Sequence, residues 1–298
     1  MGQQQKTAGS TAVATVALLT GATVWGLIWY PYRAIEQAGI SGTLATLATY
    51  AVALLAGLFA FRRDLHGFRF SWWLPAIALV AGGCNLGYVL AVLHGEVMRV
   101  LLLFYLSPLW TVALARLLLD ERLRPAGAVV IGCSVLGAAV MLWRPELGLP
   151  WPRNGAEWLG LGAGFCFALQ NVLIRRTAHL SIELKTVTVF AGVIVLGLAL
   201  IPFEPLPDPA RLQAAEWTTL LVVGLLLLAV NLVVQAGLTA LAANQAIVIM
   251  LFELVVAALS AWWLAGELTG PAEWLGGALI VAASLFSGTL EERPSAGS

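Results

Sequence analysis

Charged residues are scarce in this chain. Asp, Glu, Lys and Arg make up 11% of its 298 residues, whereas hydrophobic residues make up 60%. Soluble domains carry about 25% charged and about 45–50% apolar residues. The chain therefore has too few polar residues to cover a water-soluble core, and its composition equally excludes a disordered protein. A helical protein that crosses the membrane several times fits these numbers.

An excess of charge of one sign is also missing. The chain has 16 basic and 16 acidic residues, so its formal net charge is zero. A nucleic-acid-binding surface needs a basic patch that attracts phosphates, and no run of basic residues here is longer than two. We therefore expect no nucleic-acid partner. The expected partners are the lipid bilayer and a small-molecule substrate, and the protein is expected to be a monomer.

Cysteine and histidine occur only three times each, without the spacings that mark a reactive site. The cysteines lie in apolar runs, with no Cys-x-x-Cys pattern and no nearby histidine pair, so neither disulfides nor zinc sites are indicated. No Ser-His-Asp arrangement or phosphate-binding loop is present either. We expect no metal, no cofactor and no enzyme activity. The cysteines are Cys84, Cys133 and Cys166.

Long apolar runs make up most of the chain. A membrane-spanning helix needs about 20 predominantly apolar residues, and ten runs reach that length. The segments between them carry Pro, Gly and charged residues, which are typical of surface loops. The predicted fold is an all-α polytopic membrane protein with ten transmembrane helices. The predicted spans are 11–31, 42–61, 72–93, 98–119, 125–143, 156–175, 182–202, 217–240, 244–264 and 271–289.

The distribution of Lys and Arg predicts the orientation of the chain. If the N-terminus lies in the cytoplasm, the inner segments carry 11 of these residues and the outer segments carry five. Cytoplasmic loops of membrane proteins are enriched in Lys and Arg. We therefore predict that both termini are cytoplasmic and that the protein lies in a bacterial-type cytoplasmic (inner) membrane.

The second half of the chain repeats the first. The ends of runs four and nine, at 117–142 and 263–288, share a Glu, a Pro and a Gly/Ala-rich helix at a constant separation of 146 residues. An odd number of helices per copy forces the second copy to insert in the opposite orientation. We predict two inverted five-helix repeats, residues 1–145 and 146–298, with a substrate site between them near the midplane. The equivalent pairs are Asn85 with Asn231, Glu121 with Glu267, and Pro125 with Pro271.

These helix ends carry a family resemblance. The apolar-x-Glu-x-x-x-Pro pattern and the Ala-Thr-Val-Trp-Gly run at 22–26 resemble the repeated EamA unit of the drug/metabolite transporter superfamily. Within that superfamily, the Trp content and the stretch at 167–176 look most like YddG-type exporters of aromatic amino acids. The resemblance implies ten helices and a central cavity lined mainly by helices 1–4 and 6–9.

The same resemblance implies a secondary transporter that exports amino acids by alternating access through this cavity. The expected substrates are aromatic and neutral amino acids over a broad range. The charge pattern agrees, because no Lys or Arg lies in mid-span to bind a dianionic phosphate. Two alternatives stay open. One is export of hydrophobic drugs or other small metabolites, and the other, from a different class, is a channel or a membrane-embedded scaffold.

Polar and aromatic residues inside the runs are the candidates for substrate binding. Lipid does not solvate polar side chains, so we expect them to face the bundle interior or water. Amide groups beside aromatic walls are the mixture expected of a small-molecule site. The alternative for each residue is a structural hydrogen bond or ordinary packing. The candidates are Trp25, Trp29, Asn85, Tyr88, Tyr105, Gln170, Asn171, Asn231 and Gln235.

Glu253 is the one acidic residue deep within a predicted span. An ionised carboxylate at the bilayer centre costs several kcal/mol, so this side chain should be protonated, paired or in contact with water. One interpretation is a site of proton coupling or of binding to a substrate amine. The other is a neutral acid hydrogen-bonded to a neighbouring helix. Glu121 and Glu267 lie at helix ends and are expected to cap or bridge helices.

Two prolines are candidate hinges. Pro31 and Pro108 lie at the end of run one and within run four. Proline removes a backbone hydrogen bond and bends a helix. Each residue is therefore a candidate pivot, with a static kink as the alternative.

Overall fold

Helices make up most of the residues that the structure describes. The computed structural model describes residues 2–65, 70–95, 97–142, 151–203, 213–266 and 270–287. The helices are α1 Gly2–Leu27, α2 Trp29–Gln37, α3 Gly42–Ala60, α4 Trp73–His94, α5 Val97–Phe104, α6 Ser107–Leu118, α7 Pro125–Leu142, α8 Gly155–Arg176, α9 Ile182–Leu200, α10 Ala214–Ala240, α11 Ala243–Met250, α12 Phe252–Ala265 and α13 Pro271–Leu285.

The prediction of a polytopic all-α membrane fold is confirmed. Among the described residues, nine segments are long and apolar enough to cross a membrane, and they correspond to the first nine predicted spans. The tenth predicted span contains α13, a shorter apolar helix of 15 residues. The predicted boundary between the repeats, at 145/146, and the predicted capping residue Glu267 lie outside the described residues.

Local sequence explains where several helices begin. Ser41 and Ser181 precede α3 and α9, and each hydroxyl oxygen accepts from the backbone N–H three residues later, at 3.4 and 3.2 Å. Asn154 caps α8 in the same way, with 2.9 Å between its Oδ1 and the nitrogen of Glu157. These side chains satisfy donors that the first turn of a helix leaves free.

Small residues allow neighbouring helices to approach closely. Gly192 of α9 lies so near α4 that a Cβ there would be 2.0 Å from the carbonyl oxygen of Ala78. In α13, a Cβ on Gly276 would be 2.4 Å from the carbonyl oxygen of Gly137 in α7. Lipid provides no hydrophobic force between helices, so close van der Waals packing of this kind dominates their association.

Candidate functional site

The fourth and ninth spans are each interrupted near the middle. Tyr105 and Leu106 separate α5 from α6, and Leu251 separates α11 from α12. Leu251 follows Tyr105 by 146 residues, which is the separation of the repeated sequence pattern. The two ends of the bundle are distinguished by their basic residues. The Arg99 end is where α5 and α8 begin, and the Arg175 end is where α6, α8 and α10 end and α11 begins.

A hydrogen bond joins the two interruptions. The hydroxyl of Tyr105 donates to Oε1 of Glu253 across 2.5 Å. Tyr105 is buried and Glu253 is half-buried. On the other side, a Cβ on Gly26 of α1 would be 2.7 Å from the carbonyl oxygen of Glu253. Glu253 therefore has a hydrogen-bonding partner from the other half of the chain, and its backbone lies against α1.

Aromatic side chains surround this pair on the side of α4 and α8. The ring of Phe104 contacts the rings of Tyr88 and Tyr105, with 5.2 Å between centroids in each case. Phe167 of α8 lies 5.4 Å from the same Phe104 ring. The candidates Tyr88 and Tyr105 are thus brought together through Phe104, a residue that was not among the predicted set.

Trp29 connects α2 to α12. Its Nε1 donates to Oγ of Ser260 across 2.9 Å, and Ser260 in turn donates to the carbonyl oxygen of Gly26 across 3.2 Å. The guanidinium of Arg33 lies 5.9 Å from the Trp29 ring centroid. Trp25, one turn earlier, is half-buried and packs beside two apolar clusters of the core.

Two helix pairs lie at the Arg99 end of the bundle. α5 packs on α8, and α12 packs on α1. Among the described residues, α5 and α12 make no extended contact with each other, and neither do α1 and α4. The side chains of Trp25, Trp29, Tyr88 and Glu253, on the first, third and ninth spans, are half-buried. The Tyr105–Glu253 hydrogen bond connects the end of α5 with the beginning of α12.

The bundle is closed at the Arg175 end. Seven of the eight residues of α11 are buried, because α11 packs against α1, α6 and α8. In α12, by contrast, Leu254 and Ser260 are the buried ones among the side chains that the structure describes. One interrupted span is therefore enclosed in its first half and much more open in its second.

Buried amides without partners lie on the helices of the closed end. No hydrogen-bond partner is found within the described part of the chain for Oε1 of Gln170, Oε1 of Gln235 or Nδ2 of Asn171. The same holds for Oδ1 of Asn244, which was not predicted because it stands at the very start of its apolar run. Buried polar groups are normally hydrogen-bonded, so each such group needs an explanation.

Asn85 and Asn231 are hydrogen-bonded within the protein. Oδ1 of Asn85 accepts from the hydroxyl of Tyr50 at 2.8 Å, and its Nδ2 donates to the carbonyl oxygen of Ala81 at 2.9 Å. Nδ2 of Asn231 donates to the carbonyl oxygen of Leu227 in its own helix at 3.0 Å. Both amides therefore make structural hydrogen bonds in this conformation.

The two prolines lie just after helix interruptions. Pro31 is the third residue of α2, which is separated from α1 by Ile28. Pro108 is the second residue of α6 and is buried. Whether either residue acts as a hinge stays a prediction.

A buried ion pair holds α5 against α8 at the Arg99 end. Nε and Nη2 of Arg99 donate to the two carboxylate oxygens of Glu157 at 2.8 and 2.9 Å. The side chains are only 4% and 3% exposed, and Glu157 also accepts from the backbone nitrogen of Arg153 at 2.9 Å. Sequence reasoning missed this pair because the partners are 58 residues apart and no local pattern relates them.

Charged side chains also converge at the Arg175 end. Nη1 of Arg175 donates to the carbonyl oxygen of Thr239, and Nζ of Lys185 donates to Oγ1 of the same residue, each at 2.5 Å. Oε2 of Glu121 accepts from the backbone nitrogen of Ala243 at 3.1 Å. Arg175 lies 3.6 Å from Glu121 as well. The expectation that Glu121 caps or bridges helices agrees with this contact.

Two grooves lie at the periphery of the bundle. One groove lies between α12 and α13 and another between α7 and α13, and apolar side chains line both. Neither groove contains a candidate site residue. Within the described residues, no group of three or more His, Cys, Asp and Glu side chains is placed to hold a metal ion.

The fold and the site define a polytopic α-helical membrane protein in which two interrupted spans meet at the Tyr105–Glu253 hydrogen bond. Residues 154–289 match the model of the EamA-like transporter family. A Pseudomonas aeruginosa protein named as an uncharacterized transporter is 30% identical over 218 residues, which cover 67% of this chain and 66% of that protein. Both matches support the resemblance to the drug/metabolite transporter superfamily.

A solved crystal structure has the same fold. It superposes with a TM-score of 0.76 and covers 92% of this chain and 96% of its own, at 21% sequence identity. Identity at this level indicates a shared fold and says nothing of substrate. The resemblance to YddG-type amino-acid exporters in particular stays a prediction.

Proposed function

We propose that the chain is a secondary transporter of the drug/metabolite superfamily that exports amino acids by alternating access. The observation that carries the proposal is the Tyr105–Glu253 hydrogen bond, which joins two interrupted spans. Transporters of this kind bind substrate near the membrane midplane, where interrupted helices of two repeats meet. We infer a cleft at the Arg99 end, where α5 and α12 make no extended contact among the described residues. A bundle open at this end and closed at the other fits one state of such a cycle.

Inverted repeats are part of this proposal, and the helix packing supports them. If α1–α7 and α8–α13 are equivalent halves, the contact of α4 with α8 corresponds to that of α10 with α1. The contact of α4 with α9 likewise corresponds to that of α10 with α3. The pair formed by α7 and α13 corresponds to itself. An internal two-fold relationship between residues 1–145 and 146–298 accounts for all three.

The distribution of basic residues supports the orientation. Cytoplasmic ends of membrane proteins are enriched in Lys and Arg, and the Arg175 end also carries Arg116, Arg122 and Lys185. With the Arg175 end in the cytoplasm of a bacterial-type cell, both termini are cytoplasmic and the cleft faces outward. The structure then corresponds to an outward-facing state.

The chemistry of the cleft favours an amino acid as substrate. Glu253 offers a carboxylate to a substrate ammonium group, and Trp25, Trp29 and Tyr88 offer aromatic surfaces to its side chain. Among the described residues, the ion pairs and hydrogen bonds observed bring no Lys or Arg to Tyr105 or Glu253, where it could bind a phosphate. Hydrophobic cations match the same surfaces, so drug export is the second candidate.

The unpartnered amides extend the proposed route to the closed end. A buried polar atom without a partner costs about 1–3 kcal/mol. Gln170, Gln235 and Asn244 carry such atoms on the helices of the closed end. If this end opens, water and substrate reach them and supply the missing hydrogen bonds. The free-energy cost of these unpartnered atoms destabilises the closed state and therefore favours opening of this end.

Counterflow in proteoliposomes tests the function. Vesicles containing the purified protein and unlabelled amino acid are diluted into tritiated amino acid, beside a parallel assay with an ethidium-type dye. We expect transient accumulation of the labelled amino acid, because a carrier couples inward and outward steps. A channel gives no such overshoot, and accumulation of the dye alone would favour drug export.

Glu253→Gln tests proton coupling. Gln keeps the shape and accepts the hydrogen bond from Tyr105, but it cannot release a proton. We expect the variant to fold normally and to show no response of transport to an imposed pH gradient, whereas the wild type responds. If the wild type is indifferent to the gradient, Glu253 is a buried hydrogen-bonding group and not a coupling site.

A further inference from the structure

The Arg175 end contains a contact that couples the two halves of the chain. We propose that Glu121 is a latch: its carboxylate binds the first backbone N–H of α11 and holds the Arg175 end shut. Release of this hydrogen bond then lets α11 separate from α6 and opens that end. The proposal rests on the alternating access proposed above, in which the closed end must open once in each cycle.

The backbone around Glu121 fixes its side chain in place. Asp120 adopts a left-handed conformation, with φ of 58°, which Asp tolerates better than most residues. The nitrogen of Glu121 donates back to the carbonyl oxygen of Ala115 at 3.3 Å, which terminates α6. Arg116 also holds the Asp120 carboxylate at 2.8 Å. Glu121 therefore projects from the C-terminal end of α6, where these contacts define the path of the backbone.

The bond that Glu121 makes is of a favourable kind. Its Oε2 accepts from the nitrogen of Ala243, the first residue of α11, at 3.1 Å. No side chain of the preceding residue, Ala242, caps this helix. A carboxylate at a helix N-terminus satisfies a free N–H and interacts well with the positive end of the helix dipole. A residue distant in sequence thus replaces the usual local cap.

Cationic side chains bind the C-terminal end of α10, which lies next to the N-terminal end of α11 that Glu121 binds. α10 ends at Ala240, where backbone carbonyls carry partial negative charge. Arg175 and the fully buried Lys185 both donate to Thr239 there. The turn between α10 and α11 is therefore held by positive groups on one side and by Glu121 on the other. Arg175 also lies within 3.6 Å of Glu121, which connects the two sets.

Packing alone contributes little to holding α11 in place at the Arg175 end. α11 contacts α6 and α8 through small apolar side chains such as Ala115, Val172 and Ala243. Packing in the membrane gains no hydrophobic free energy over contact with lipid. The unpartnered amides Gln235 and Asn244 oppose closure further. A charge-assisted hydrogen bond at the mouth is then a large part of what keeps α11 in place.

Cysteine labelling measures the latch directly. In a variant whose three native cysteines are replaced by Ala, Ala246→Cys places one thiol at a fully buried position of α11. A membrane-impermeant maleimide is applied to the cytoplasmic side of inverted vesicles. Adding Glu121→Gln, which removes the charge and keeps the shape, is expected to raise the labelling rate about tenfold. An unchanged rate in folded protein overturns the proposal.

A second variant removes the donor instead of the acceptor. Ala242 has extended geometry, with ψ of 146°, so Ala243→Pro fits the first position of α11 while deleting its N–H. We expect a similar rise in labelling. The double variant with Glu121→Gln should label no faster than the faster single variant. If the two increases multiply, the residues act separately and the latch is wrong.

Glu216→Gln is the matched control. Glu216 caps α10 at the opposite end of the bundle, where its Oε2 accepts from the nitrogen of Gln213 at 2.7 Å. Loss of this cap should leave labelling of the thiol introduced by Ala246→Cys unchanged, and an equal increase would mean general loosening and overturn the proposal. The labelling assay needs no substrate, so it tests the latch independently of transport. If the chain moves no amino acid in proteoliposomes, the proposed function is contradicted, and the maleimide labelling rates still decide whether the latch exists.

Discussion

Two buried amides show how differently similar side chains are used. The carbonyl oxygen of Asn85 accepts from the hydroxyl of Tyr50, whereas that of Gln235 has no partner among the residues the structure describes. Removing an acceptor leaves its donor without a hydrogen-bond partner, whereas removing an oxygen that has no partner leaves no donor unsatisfied. The two residues therefore respond to substitution in opposite ways.

Leucine substitutions at these positions separate structure from transport. Asn85→Leu leaves the buried Tyr50 hydroxyl without its acceptor, and we expect a loss of about 1–3 kcal/mol of stability. Gln235→Leu should leave the thermal denaturation midpoint in detergent unchanged or higher. Its transport rate should fall about tenfold, which corresponds to about 1.4 kcal/mol, if Gln235 contacts substrate. Wild-type transport by this variant would remove Gln235 from the route.

The site was partly predictable residue by residue. Glu253 stands out in the sequence because lipid does not solvate a carboxylate, so an acid inside an apolar run signals a partner or a function. Its partner was not predictable as such. Tyr105 lies 148 residues away, and only tertiary packing brings the two together. The same applies to Ser260, which receives the hydrogen bond of Trp29 from a helix 231 residues distant.

At the scale of elements, α5 is a short helix that depends on α8 for its position. Arg99 and Glu157 join the two helices at one end. Further along, Gly160 and Gly164 of α8 face Val100 and Phe104 of α5 at backbone contact distance. Residues four apart on a helix lie on one face, so these glycines form a flat surface for α5.

Substituting glycines of α8 tests this surface. A Cβ on Gly164 would lie 2.4 Å from the carbonyl oxygen of Phe104, so Gly164→Ala must displace α5. We expect a loss of about 1–3 kcal/mol in detergent unfolding experiments. Gly162→Ala, where nothing lies within 4 Å, should be neutral or stabilising by up to about 1 kcal/mol. Equal effects would show that α5 does not rest on this face.

Helix boundaries were predictable where the sequence carries a local signal, such as the end of an apolar run or a proline. The apolar runs correspond to the spans, and Pro108 signals the nearby interruption of the fourth. The interruption at Leu251 has no such signal, because its neighbours Met250 and Phe252 are ordinary helix residues. The break there reflects how α11 and α12 pack against different neighbours, which a single sequence does not encode locally.

For the whole molecule, the proposed orientation predicts which loops share a side. Single cysteines replace Asp64, Arg153 and His179, all exposed, in a background without native cysteines. An impermeant thiol reagent applied to intact cells should label the residue-153 variant and spare the other two, which face the cytoplasm. In inverted vesicles the pattern should reverse. Labelling of positions 64 and 153 from the same side would contradict inverted repeats.

The unequal residues at the two interruptions bear on how the gene arose. At the separation of 146 residues, Leu251 and Ser107 occupy the positions equivalent to Tyr105 and Glu253. If the two halves are inverted repeats, a symmetric homodimer of five-helix chains would make the Tyr–Glu hydrogen bond twice and would carry two acids near the bilayer centre. The single chain makes this bond once, because Leu251 and Ser107 stand where the second tyrosine and the second acid would be. A fused chain can thus keep one intramembrane acid where a symmetric dimer would have two.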